Sequence, residues 1–312
     1  MAIHWALSKK VRKQECEEAF GILYIGLSAD LGEGKAMGSL KIGLALWSLG
    51  STSSEEELKL RLSTAREIGV RSVQPWCVDN SPEDICILDP DRCVGSKRRS
   101  MRELINSYGL EISGFCAQLT GPYESGGEWP GSAFHDPRGL DERIAKTKKC
   151  LELAADFGAP IVTTHPGAIP SDASSKRYLT LRKSCNEIAK HAEDVGGIFC
   201  IETGQEPAEV LRAFIEDIGS DSLKVNYDPA NMLRYGTVEG VRVLAPWIVH
   251  THAKDHDPKT GKATVGEGMV PWDDYISALK SIGYEGWYAL EDETGKDVVT
   301  SLKRGRKFLE KY

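Results

Sequence analysis

The sequence contains no CxxC pair, no P-loop, and no GxGxxG after its first apolar segment. Without CxxC there is no zinc ribbon, and Cys77, Cys86 and Cys93 do not supply its spacing by other means. The missing glycine motifs remove the usual marks of a nucleotide-binding sheet. No apolar run reaches the roughly 18 residues of a membrane span. Cysteine is sparse, with 8 in 312 residues, which fits small buried hydrophobes in a reducing compartment better than a disulfide framework. Positive charge is also short: 39 Lys and Arg stand against 46 Asp and Glu, a net charge of −7. A nucleic-acid protein usually needs a basic face, so no nucleic-acid partner is expected. Hydrophobic residues make up 41% of the chain, enough to exclude disorder of the whole and to build a large core. These properties fit a cytoplasmic enzyme of small metabolites.

Residues 1–39 stand apart. Lys9, Lys10, Arg12 and Lys13 precede the apolar stretch Ala19–Leu27, superficially like a signal peptide. Glu15, Glu17 and Glu18 interrupt that pattern, and Gly21 and Gly26 weaken its apolar core. The segment reads instead as an N-terminal extension of balanced charge. Gly32–Ser39 has the composition of a flexible linker, and Met37 is a candidate initiator.

From residue 40 to 312 one pattern repeats. Short β-branched apolar runs at 41–47, 71–78, 110–119, 159–165, 197–203, 223–228, 247–255 and 286–292 alternate with longer amphipathic segments. Ser53 or Ser54 can cap the first helix, and Gly69 follows it. Segments 138–157, 174–195 and 296–311 are further helices, and Pro271 suits the first turn of another. Strict alternation implies a parallel sheet covered by helices. Eight such units match a single-domain (β/α)8 TIM barrel. The longest strand-to-helix connections, 79–95, 119–137 and 254–270, would all cover the C-terminal mouth, where barrel active sites lie. The middle one has the Gly, Pro and aromatic content of a lid.

The polar residues fall at informative places. Glu202, Asp228, His252 and Glu291 end the last four apolar runs. A carboxylate facing into a barrel is costly unless it is paired or binds a metal. Any one of them alone is compatible with a helix cap or a salt bridge. Four on consecutive strands predict one shared site, rich in oxygen ligands, for Mn2+, Mg2+ or Co2+. His165 ends the fourth run and also points to the mouth, where it can bind substrate, orient Glu202 or cap the loop. Trp47, Trp76 and Gln118 end the first three, where the indoles can pack on a sugar face and the amide can reach a hydroxyl. His250, one layer below His252, reads as a hydrogen-bonded core residue or a support for the ligands above it.

THPG (164–167), CIETG (200–204), NYDPAN (226–231), HTHAKD (250–255), GEGMVPW (266–272) and EGWYALEDE (285–293) resemble the xylose isomerase-like TIM barrels of the sugar phosphate isomerase/epimerase family. The resemblance spans residues 40–312. It implies one divalent ion, Mn2+ foremost with Zn2+ also an option, held by Glu202, Asp228, His252 and Glu291. It also implies that Glu202 and Glu291 are the acid/base pair, moving a proton at the carbon beside a carbonyl. A metal on that carbonyl oxygen stabilises the enediolate. The expected substrate is a sugar, a sugar phosphate or a polyol ketone, and such barrels often assemble as homo-oligomers. Isomerisation, epimerisation and an inosose-type dehydration all fit one such site.

Two positions depart from the ketose 3-epimerases of the family. Asn231 stands where they carry a substrate-contacting histidine, and Pro258 where they carry an arginine. Asn231, Lys254, Asp255 and Glu267 are therefore candidates for replacement contacts. Two other readings compete. An abasic-site DNA endonuclease of the endonuclease IV type would need further histidines and an Asp-x-His pair, absent before Gly266. A non-catalytic barrel that binds a sugar or a partner protein would be expected to lose ligands, whereas all four are present.

Overall fold

The computed structural model describes residues 39–79, 81, 83–123 and 129–312. The expected extension falls almost wholly outside the described residues, as does the centre of the expected lid, residues 124–128. Ser39–Tyr312 forms one compact unit. Its elements are β1 (Lys41–Ala45), α1 (Glu55–Ile68), β2 (Ser72–Gln74), α2 (Ser96–Ser107), β3 (Glu111–Ile112), β4 (Phe115–Cys116), α3 (Leu140–Asp156) and β5 (Ile161–Thr164). The chain continues through α4 (Lys176–Val195), β6 (Ile198–Glu202), α5 (Ala208–Ile218), β7 (Leu223–Tyr227), α6 (Thr237–Leu244), β8 (Ile248–Ala253), α7 (Trp272–Ser281), β9 (Trp287–Leu290) and α8 (Val298–Leu309).

All strands pair in parallel, in the order β3-β2-β1-β9-β8-β7-β6-β5-β4. This is a nearly closed TIM barrel. The third apolar run does not form one strand as expected. It breaks at Gly114, whose φ of +157° lies outside the ordinary strand range and whose missing Cβ would sit 3.0 Å from the Ile161 carbonyl. One half, β3, pairs with β2, and the other, β4, pairs with β5. A bridge between Trp76 and Cys116 closes the wall, with Cys77 N donating to Cys116 O at 2.9 Å.

Alternation along the strands separates two interiors. Leu44, Val73, Val162, Ile201, Val225 and Leu290 are buried on the helix-facing side, with Leu58, Leu62, Ile105, Leu151, Ile188 and Leu279 of the helices in the same core. The opposite set faces the barrel axis. It includes Gln74, Thr163, Asn226, His250 and His252, a polar lining where barrels commonly carry branched apolar residues. Local signals set the helix ends. The Ser54 hydroxyl accepts from Glu57 N at 3.2 Å to start α1, and Gly69, in the left-handed region, stops it. Ser175 caps α4 in the same way, accepting from Tyr178 N.

Candidate metal centre

Glu202 ends β6, Asp228 follows β7, His252 lies near the end of β8, and Glu291 follows β9. Each is buried, and each offers one ligand atom, all within 4.8 Å of one another. His252 Nδ1 stands 3.2 Å from Glu202 Oε1, 3.8 Å from Asp228 Oδ2 and 3.0 Å from Glu291 Oε2. Ligands about 2.1 Å from an octahedral ion lie about 3 Å apart along its edges, so these separations suit a shared divalent ion. Asp228 Oδ2 and Glu291 Oε2 are buried and have no aligned hydrogen-bond donor among the described residues. A buried carboxylate oxygen without a donor is expensive, and a cation between the two would satisfy both. Three carboxylates and one imidazole therefore fit the hard divalent ion that the sequence suggests.

The electrostatics have the same cause. Burial opposes a charged imidazole, but Glu202 and Glu291 outweigh it and hold His252 well above its ordinary range. Burial likewise opposes charge on Glu202, yet His252 and His165 hold it well below the usual carboxylate range. Glu291 is drawn down to about 2 against the same burial by Lys254 and His252. The cluster demands positive charge at its centre.

Around it stand several of the expected contact residues. The Trp47 indole N–H donates to Glu291 Oε1 at 3.2 Å, and its ring meets the His252 ring at 5.6 Å. Trp76 packs on Trp47 at 6.2 Å, with its own indole nitrogen buried and without a hydrogen-bond partner among the described residues. The Lys254 ammonium lies 3.2 Å from Glu291 and 3.0 Å from Glu293. His165 Nε2 is 3.3 Å from Glu202 Oε1, and Asn231 Nδ2 is 3.5 Å from the same oxygen. The strand ends thus bring Trp47, His165, Asn231 and Lys254 against the two glutamates.

Three candidates are committed elsewhere. Gln118 donates to Leu119 O and Ser132 Oγ and accepts from His165 N and Thr164 Oγ1. Its amide is saturated by Leu119, Ser132, Thr164 and His165, so no group is left for a substrate hydroxyl. Glu267 is half-exposed and pairs with Arg304 of α8 at 2.8 Å, away from the cluster. Asp255 is buried and accepts from four backbone N–H groups and Trp272 Nε1, so it builds the β8–α7 loop.

Sequence reasoning missed Trp129, Gln74 and Glu206. The Trp129 ring meets His165 edge-on at 5.0 Å, and Ser132 N donates to His165 O at 2.8 Å. Gln74 lies two residues before Trp76 on the same inward register, a signal that alternation alone could have supplied. Glu206 had no positional signal, because it sits in a loop.

Residues 62–312 match the xylose isomerase-like TIM barrel family. The chain belongs to that family. An uncharacterized protein of Methanocaldococcus jannaschii is 28% identical over 56% of this chain and 67% of its own length. The D-psicose 3-epimerase of Agrobacterium fabrum is 28% identical over 38% of this chain and 43% of its own. The chain thus matches less than half the length of that epimerase. The crystal structure of a xylose isomerase domain protein from Planctomyces limnophilus superposes with a TM-score of 0.70 at 23% identity, covering 88% of this chain and 96% of that one. That likeness bears on the fold. No helix among the described residues is long and apolar enough to cross a membrane.

Proposed function

We propose that the protein is a divalent-metal-dependent isomerase or epimerase of a small sugar or related polyol ketone, with Glu202 and Glu291 as its acid/base pair. The observation that carries this reading is the convergence of Glu202, Asp228, His252 and Glu291 on one buried centre at the barrel mouth. The epimerase relative supports the reaction class. Mn2+ is the expected ion, and when bound it supplies Lewis acidity to the substrate carbonyl. One glutamate removes the proton from the carbon beside that carbonyl, and either the same or the other returns it. Return to the opposite face of the same carbon gives an epimer, and return to the neighbouring carbon gives an aldose–ketose pair.

The neighbours of the two glutamates differ. Trp47 and Lys254 fix Glu291, whereas His165 and Asn231 stand at Glu202. Trp47 and Trp76 offer indole faces for the C–H side of a sugar. Asn231 and Pro258 stand where the ketose 3-epimerases that the sequence resembles carry a histidine and an arginine, which argues against a free ketose epimerised at its third carbon as the preferred substrate. A three-zinc DNA-repair site gains no support, because no other group of three or more ligands converges among the described residues.

The test is a panel of sugars, sugar phosphates and inososes in deuterated solvent, with Mn2+ supplied. The expected result is deuterium entering beside the carbonyl of one substrate, at one bound ion per chain. Glu202→Gln or Glu291→Gln should slow exchange by roughly 10²–10⁴-fold. Metal bound at full stoichiometry with no exchange on any substrate overturns the reading. A dehydrated product assigns the site to elimination instead.

A further inference from the structure

We propose that Gln74, the last residue of β2 and 178 residues from His252 in sequence, is the positioning residue that decides which nitrogen of His252 faces the carboxylates. This inference rests on the metal-centre reading above. His252 Nδ1 points to Glu202, Asp228 and Glu291, and its Nε2 points down the barrel axis to Gln74 Oε1 at 2.9 Å. A neutral imidazole has a single N–H, and its ligating nitrogen must present a lone pair. The amide oxygen of Gln74 accepts only, so the hydrogen belongs on Nε2. The lone pair is then left on Nδ1, where the ion would sit.

The orientation of the amide is itself fixed. Gln74 Nε2 donates to Thr163 Oγ1 at 3.1 Å, and that hydroxyl donates its one hydrogen to Phe115 O at 3.4 Å. Thr163 must therefore accept from Gln74, so the amide cannot present its nitrogen to His252. Asn226 does not compete. Its Nδ2 lies 3.2 and 3.4 Å from the two ring nitrogens, nearly equidistant, and so lies off both lone-pair axes. Its Oδ1 is engaged by His250 Nδ1 at 2.8 Å, and His250 Nε2 meets Ser113 Oγ at 3.1 Å. Gln74, Thr163, Asn226 and His250 are all fully buried. A polar column at this depth carries a desolvation cost that an apolar floor would avoid. Orienting the one nitrogen ligand of the cluster gives it a function.

The test measures Mn2+ affinity by competition titration in wild type, Gln74→Met and Gln74→Glu, with apo-protein melting as the folding control. Gln74→Met keeps the volume and loses the acceptor, so affinity should fall about 10–100-fold. Gln74→Glu restores an acceptor and should stay near wild type. Unchanged affinity in Gln74→Met overturns the proposal, as does an equal loss in both variants with unchanged melting. Should Gln74→Met not fold, isotope-labelled histidine in the cadmium-loaded wild type decides by NMR. Coupling of the metal to Nδ1 of His252 supports the assignment, and coupling to Nε2 overturns it. A wild type that binds no metal refutes the metal centre itself, which is a different outcome from metal bound without dependence on Gln74.

Discussion

Glu206 shows how much a single buried carboxylate can do outside the metal cluster. It lies in the β6–α5 loop, buried, and its Oε2 accepts from Ile169 N at 3.1 Å. Burial pushes its carboxyl up to about 7, against the pull of the Ile169 N–H, His165 and Arg234. The unfolded chain releases this proton near the ordinary glutamate value of 4.5, whereas the folded chain keeps it to about 7. Between those values the native state binds more protons, so stability falls as pH rises, and the loss is complete above about 7. The linkage amounts to roughly 3 kcal/mol at most. Glu206→Gln should remove this slope: its melting temperature should vary less than wild type across the same window, and it should be the more stable protein above neutrality. A wild-type slope that persists in the variant assigns the dependence to another group. The residue was illegible in the sequence because its signal is depth of burial, which a loop glutamate does not announce.

At the scale of elements, the register of the strands was the legible part. Glu202, Asp228, His252 and Glu291 could be placed because β-strands alternate and barrel sites gather at strand ends. Residues in the loops were harder, since their partners are tertiary. Glu267 looked available for substrate until Arg304, on a helix far along the chain, claimed it. Gln118 ended its apolar run as expected, but the lid and the β5 end saturate its amide. The third strand failed as one element because Gly114 turns the chain to meet β5. Asp255 illustrates the same point in the β8–α7 loop. Its two oxygens accept from the backbone N–H groups of His256, Gly266, Gly268 and Val270 and from Trp272 Nε1. Asp255→Ala strands the buried Val270 N–H and Trp272 Nε1 and releases three part-buried N–H groups, a loss of about 3–5 kcal/mol. Hydrogen exchange should show protection lost first over residues 256–270, with turnover falling because the loop carries Lys254 at its root. Loss of stability spread evenly over the barrel would contradict this local role.

For the whole molecule, the barrel interior trades stability for a charged centre. Four carboxylates, Glu202, Asp228, Glu291 and Glu293, gather at the mouth with His165, His252 and Lys254 as their cations. Negative charge is in excess there, and the polar column below contributes little apolar burial. The fold tolerates this because its hydrophobic core lies between strands and helices, outside the barrel axis. A bound divalent ion should reverse the balance. At a free concentration of 100 times Kd it adds about 2.7 kcal/mol, a rise in melting temperature of roughly 5–10 °C for a barrel this size. Asp228→Asn separates the two effects. It removes one of the repelling charges at an oxygen with no aligned hydrogen-bond donor among the described residues, and it removes a ligand. In chelator the variant should melt at or above wild type, as expected where function opposes stability. With saturating Mn2+ the order should invert, because wild type gains the binding energy and the variant gains little. Should Asp228→Asn melt well below wild type in chelator, Asp228 is a structural partner of His252, and the excess negative charge at the mouth is not what the ion relieves.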